Sequence, residues 1–249
     1  MKSSKSLLLF TTITFLASSC TFYKPTLLTT PIVEKGDIII GGSTLSSTDG
    51  VLLYSPIDHL AVKAEAGTSY TEDLTTEIAG VQLSESISNV NYEFAAGFYD
   101  TLSKNLRYEV YAGYAFGESG STFDLFGVQF ASGFNRADYT NPFVQSSIQF
   151  GLSNNIYFGI NLRANFLEYS NYETINDSLF QNSSINEEFN DPNKFVGQVG
   201  MDLRYRGHTF GIFLGAHHAF SPEESAYFEV RNFNINFGLY LRLNELFKI

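Results

Sequence analysis

The chain has 249 residues, with 26 acids against 15 Lys and Arg for a formal charge of −11, and 16% of its residues are aromatic. Its mean hydropathy is −0.04, and its one long apolar run, Leu7 to Leu16, is too short for a helix that crosses a bilayer, which excludes a helical membrane protein. The acidic balance argues against nucleic acid as a partner and against attraction to anionic lipid surfaces.

At the N-terminus, Lys2 and Lys5 precede the apolar run, which ends in Ala17-Ser18-Ser19-Cys20. A charged start, a short apolar core and small residues predict a secretory signal peptide over residues 1–20. The segment resembles a bacterial lipoprotein signal, which implies that Cys20 becomes the acylated first residue of the mature chain. It departs from that pattern at Ala17, where Leu is usual; Leu16 stands one place earlier. Cys20 is the only cysteine, and an unpaired thiol in an exporting compartment otherwise lacks a partner, which favours lipidation over an ordinary signal peptide. Removing residues 1–20 takes away Lys2 and Lys5 and no acid, so the charge moves from −11 to −13. Residues 21–35 read as a periplasmic segment leading into a barrel domain over 36–249.

From there the chain alternates. A weak hairpin is expected near 37–44 and 50–55, then a strand at 60–68. Residues 90–98 put Val90, Tyr92, Phe94, Ala96 and Phe98 on one face, against Asn91, Glu93 and Gly97. Residues 106–116 set Leu106, Tyr108, Val110, Ala112, Tyr114 and Phe116 against Arg107, Glu109, Tyr111 and Gly113. The stretch 143–152 is weaker, and 156–166 alternates Ile156, Phe158, Ile160, Leu162 and Phe166 with Tyr157, Gly159, Asn161 and Arg163. Residues 194–206 and 208–216 follow, with Phe213 an exception on the small-residue face. The last strand has Phe233, Ile235, Phe237, Leu239 and Leu241 against Asn234, Asn236, Gly238, Tyr240 and Arg242. Period 2 over about ten residues is the signature of a membrane-crossing strand, about 9–11 residues long.

The fold expected is all-β: a closed antiparallel transmembrane β-barrel of about ten strands, or eight if the first hairpin lies outside the wall. Short turns at 55–59, 103–105, 153–155 and 206–207 alternate with long polar segments near 69–88, 118–141 and 170–192, as periplasmic turns alternate with extracellular loops. An even count puts both termini on the short-turn side, where a lipid on Cys20 enters the inner leaflet. Alternation alone also suits a soluble barrel with the apolar face inside. Gly, Ser and charges of both signs on the polar face, aromatic residues toward strand ends and loops sorted by length favour the membrane.

The words Cys20, Tyr23-Lys24-Pro25, Pro31, Glu34-Lys35-Gly36-Asp37 and Tyr54-Ser55-Pro56 resemble the start of outer-membrane β-barrel proteins common in Bacteroidota, many of them lipoprotein-like and of unknown function. That resemblance covers the N-terminal quarter. It implies an outer-membrane location and no catalytic residues.

On the polar face the charges are Lys63, Glu65, Glu93, Arg107, Glu109, Arg163, Asp202, Arg204, Arg206 and Arg242, six bases and four acids. In a narrow lumen they are expected to pair, because an unpaired buried charge costs several kcal/mol. A selectivity ring for a small anion is the alternative. His217 and His218 point to opposite faces of a strand and cannot share one metal. His217 with Glu223 or Glu224 keeps a rim hydrolase open, although no GxSxG, HExxH, CxxC or phosphate loop occurs. No catalytic, cofactor or metal residue is assigned. The function expected is a non-enzymatic outer-membrane lipoprotein barrel with a structural or surface-binding role, its partners being membrane lipid and an extracellular ligand held by 118–141 and 170–192. A narrow pore and a rim hydrolase are the alternatives.

Overall fold

The computed structural model describes residues 21–23, 29–45, 47–71, 76–78, 81–125, 133–176, 193–222, 228–230 and 233–247. In chain order these form β1 (Thr21–Tyr23), β2 (Ile38–Leu45), β3 (Thr48–Ile57), β4 (Leu60–Thr71), β5 (Thr76–Ile78), β6 (Val81–Ser103), β7 (Leu106–Leu125), β8 (Gly133–Gly151), β9 (Ile156–Asn176), β10 (Asn193–Arg206), β11 (Phe210–Phe220), β12 (Phe228–Val230), β13 (Phe233–Arg242) and a five-residue helix α1 (Leu243–Phe247). Ten long strands make the wall. Each pairs antiparallel with its neighbours, β13 closes on β2, and β4 pairs with β6. Among the described residues the ring of strands is closed, as hydrocarbon requires.

Alternation in the sequence becomes alternation in burial. On β13, Phe233, Ile235, Phe237 and Leu239 are exposed, while Asn234, Asn236 and Tyr240 are buried. The same holds on β6, where Phe94 is 59% exposed and Glu93 is 0%. A belt of exposed Leu, Ile, Val and Phe on every long strand far exceeds the patches that water-exposed surfaces carry, so the outward face is a lipid-facing one. A soluble barrel with the apolar side inside is thereby ruled out. The hairpin of β2 and β3 belongs to the wall, which makes ten strands rather than eight.

Two features depart from the sequence reading. The segments 69–88, 118–141 and 170–192 are not simply loops. β6, β7, β8 and β9 run on for 23, 20, 19 and 21 residues, and their paired register reaches as far as Phe123–Gly133 and Gly133–Asn176. Past the belt the outward positions turn polar, as at Ser88, Glu118, Asp138, Glu168 and Ser170, while the inner face stays covered at Ser119 and Ala137, so apolar alternation disappears although the ladder continues.

The second departure concerns the N-terminal segment. Residues 21–35 were expected in the periplasm, but Thr29, Thr30, Ile32 and Val33 are buried inside the barrel at 6, 1, 1 and 0% exposure. β1 pairs in parallel with β12, in the segment between β11 and β13 at the long-loop end, and lies against β7 and β8. At the opposite end Glu34-Lys35-Gly36-Asp37 forms a tight turn: Asp37 N–H donates to the Glu34 carbonyl at 3.0 Å, and Glu34 N–H to Asp37 Oδ2 at 2.7 Å. Gly36 sits at φ +81°, which an L side chain rarely adopts. Backbone bonds from Gly36 to Ser55 and from Ser55 to Asp37 fix the turn to β3. The chain therefore reaches β2 from inside the lumen, with β1 and β2 starting at opposite ends of the barrel.

Candidate functional site

The lumen is the interior, and its lining begins with size. Five glycines on the inner face lie directly across the ladder from an aromatic residue: Gly97 from Tyr111, Gly113 from Phe143, Gly117 from Tyr139, Gly211 from Tyr240 and Gly238 from Phe213. A Cβ at Gly97 or Gly238 would meet the facing ring at 2.2 and 2.1 Å. Each ring thus lies over its glycine instead of pointing across the lumen, an arrangement that also covers the exposed glycine backbone. Phe213, the exception in the sequence pattern, is buried here against Gly238.

Two charge networks occupy the remaining space. In the first, Glu65 on β4 and Glu93 on β6 are direct cross-strand partners, a repulsive pairing if left alone. Lys63 Nζ lies 2.6 Å from Glu93 and 3.3 Å from Glu65. Arg163, three strands away on β9, reaches across the lumen to Glu93 at 2.6 Å. Its Nε donates to Asn165 at 2.8 Å, and its guanidinium lies 3.7 Å from the Phe143 ring centroid.

The second network lies toward the short-turn end and holds the inner segment. Arg204, fully buried, donates through Nε to Asp202 at 2.6 Å and through Nη2 to Asn161 at 3.1 Å and Ser147 at 3.3 Å. Its Nη1 donates to the Thr30 carbonyl at 2.6 Å. Arg107 pairs with Glu109 at 3.2 Å, and its Nη2 donates to the Val33 carbonyl at 2.5 Å. Arg242 donates to the Ile32 carbonyl at 3.0 Å and lies 3.3 Å from Asp37. Arg206, half-buried, pairs with Glu34 at 2.5 Å. That hydrogen bond holds the Glu34 carboxyl below the usual carboxylate range, outweighing the opposing effect of partial burial, and nearby Arg242 and Arg107 add to it. Thr29 and Gln145 complete the clasp, Thr29 donating to Asp202 at 3.3 Å and Gln145 Nε2 to Thr30 Oγ1 at 3.2 Å.

All ten charges named from the sequence point inward, in two groups. Arg204 meets Asp202, two residues along its own strand; the contact of Glu109 is Arg107. The sequence reading missed Asp37 as a lumen partner, Glu34 as an exposed partner of Arg206 at the short-turn mouth, and Asp49, a buried acid that accepts from Ser43 at 3.1 Å. One signal was present: six bases against four acids in a closed interior call for further acids. Cys20, Glu223 and Glu224 lie outside the described residues. His217 is buried on the lumen face with Asn234 opposite, and His218 faces outward. Among the described residues, no group of three His, Cys, Asp or Glu side chains is placed to hold a metal ion.

No protein-family model matches the chain. No curated protein matches it either. Among solved structures it is similar to the outer membrane protease OmpT of Escherichia coli, at 8% identity and a TM-score of 0.44, over 82% of this chain and 92% of that one. It is also similar to a major outer membrane protein of Thermus thermophilus, at 10% identity and a TM-score of 0.40, over 83% and 98%. The porin KdgM, solved with oligogalacturonate, gives 8% identity and a TM-score of 0.36 over 82% and 98%.

Proposed function

We infer that this chain is a non-enzymatic barrel of the outer membrane that acts at the cell surface through the hairpins standing above its lipid-facing belt. The observation that carries this reading is strand length. β6 to β9 have 19 to 23 residues, where about 9–11 suffice to cross a bilayer. The surplus of about ten residues, at about 3.3 Å each along strands tilted by about 40°, raises a four-stranded wall roughly 25 Å beyond the membrane. The described parts of 118–141 and 170–192 belong to that wall, and the two segments are the surface we assign to an extracellular ligand or partner that is not nucleic acid. A lumen crossed by buried ion pairs and occupied at its short-turn end by Thr29–Val33 supports a barrel that does not conduct at rest.

Acylation of Cys20 is part of this reading. Thr21, the next residue, begins β1 at the long-loop end, which favours a lipid in the outer leaflet over the inner one expected from strand parity. Palmitate labelling should be lost in Cys20→Ser.

The test of the surface role is a pull-down from intact cells with the wild type and with a variant whose Ser119–Ala137 is replaced by Asn-Gly. A partner recovered only with the wild type supports the reading. Identical recoveries, or a large steady conductance of the wild type in planar bilayers, would overturn it.

A further inference from the structure

On the lipid-facing side of β9 and β10, two small outward residues, Ala164 and Gly197, are direct cross-strand partners. Bulky pairs stand on either side of them along the same two strands. Leu162 and Val199 are partners on the short-turn side, and Phe166 and Phe195 on the long-loop side, with their rings 5.6 Å apart. The missing side chains leave a groove of about 450 Å³, lined almost wholly by carbon and reaching from Val144 on β8 to Phe220 on β11. The Phe220 ring closes one end, leaning over Gly197, where a Cβ would meet its Cζ at 2.4 Å. That volume is in the range of small-ligand sites, about 300–1,000 Å³. The groove interrupts the exposed apolar belt and is continuous with it, so what meets it is the hydrocarbon that covers the belt.

We propose that this groove is a lipid site, seating one acyl chain against Ala164 and Gly197 and an ammonium headgroup against Glu168. Depth selects the leaflet. Ala164 stands eight residues along β9 from Ile156, and Glu168 twelve, where about 9–11 residues cross the bilayer. The groove thus lies in the leaflet nearer the long loops, with Glu168 at headgroup level. Charge selects the headgroup. Glu168 is exposed, and its cross-strand partners are Asn193 and Thr140, so no cation stands opposite it. A terminal ammonium is attracted there, and a purely anionic headgroup is repelled. A chain leaving bilayer for groove gains no hydrophobic energy. It is retained by packing, because walls on three sides replace mobile neighbours with fixed ones. This goes beyond the surface-binding role, which requires no particular lipid.

The experiment refolds the full chain into vesicles of phosphatidylethanolamine and phosphatidylglycerol, moves it into detergent and weighs it intact by native mass spectrometry. Folding is checked by heat-modifiable gel mobility. The wild type should retain a single lipid, enriched in phosphatidylethanolamine about threefold over the vesicle ratio, the scale of an exposed ion pair. Ala164→Phe fills the groove and should lower the retained fraction at least about tenfold. Glu168→Gln should keep the lipid and lose the enrichment. A second reading does not depend on how Ala164→Phe folds. The chain has no Trp, so Phe195→Trp and Phe94→Trp each give a single reporter, the first at the groove and the second on β6 beside Tyr114 and Phe116. Quenching by phosphatidylethanolamine with brominated chains should survive dilution into lipid-free detergent at residue 195 and vanish at residue 94. Lipid retention unchanged in Ala164→Phe, a wild type without the enrichment, or quenching lost equally at both positions would each overturn the site. So would a wild type that leaves the membrane as a dimer and becomes a monomer in Ala164→Phe, which would give the groove to a second copy. None of these results would touch the surface role, which the hairpin replacement tests separately.

Discussion

Glu93 shows how much one buried side chain holds in this interior. It is the common acceptor for Lys63 and Arg163, and its 0% exposure leaves neither cation an alternative in water. Glu93→Ala should therefore cost about 3–5 kcal/mol, the range for stranding buried charge, measured as urea unfolding in detergent. Glycines divide by what faces them. Gly97→Ala places a Cβ 2.2 Å from the Tyr111 ring, whereas at Gly50 the nearest atom is 3.9 Å away. The first change should cost about 1–3 kcal/mol through overpacking, and the second should be tolerated. Glu34 carries the pH dependence. Its carboxyl is held below the ordinary range by the Arg206 hydrogen bond, against the effect of partial burial, with Arg242 and Arg107 adding to it. A carboxylate lowered on folding adds its hold above the ordinary value, about 4.3, and loses it as pH falls through the lowered one. Stability to urea in detergent should fall in that acid window, and Glu34→Gln should remove the Glu34 share of the loss.

At the scale of the element, β13 is the clearest test of which way the wall faces. Leu239 is 48% exposed at mid-strand, between Ile212 on β11 and Gly42 on β2. Leu239→Arg should cost about 2–4 kcal/mol in liposomes, the price of a charge near the bilayer midplane. Asn155→Arg, in the exposed turn between β8 and β9, should cost almost nothing. Equal losses would mean that residue 239 does not face lipid. The β7–β8 hairpin tests the projecting wall. Glu118 and Asp138 are cross-strand partners, so Asn-Gly in place of Ser119–Ala137 closes the shortened ladder with a two-residue turn of suitable twist. The shortened protein should keep its heat-modifiable mobility, because the belt-level strands are untouched.

At the scale of the whole molecule, three layers act together. Lipid covers the outward Leu, Ile, Val and Phe. The ladder satisfies the strands of the wall by closing on itself. Among the described residues the interior holds rings over glycines, two ion-pair networks and Thr29–Val33. The inner face is mixed: charges are matched with charges, and Ile39, Leu53, Ala61, Phe143 and Phe213 pack in an apolar cluster beside them.

The amino-acid order by itself determined the wall. Strand identity, facing and the short turns follow from period 2 and from Gly, Asn and Ser at the reversals, all local properties. It also marked the ten inward charges, from Lys63 to Arg242, because a face is set by counting residues. The extent of β6 to β9 was not legible, since above the belt the outward face meets water and polar residues there suit either a loop or a ladder. Nor were the pairings, because Arg163 meets Glu93 through a cross-lumen contact that depends on barrel circumference and stagger. The position of Thr29–Val33 was the least legible of all. Those five residues carry no charge, and their hold is shared among three backbone carbonyls, the Thr29 and Thr30 hydroxyls and the apolar packing of Val33. Only the closed barrel, by gathering Arg107, Arg204 and Arg242 around one axis, gives that segment its place.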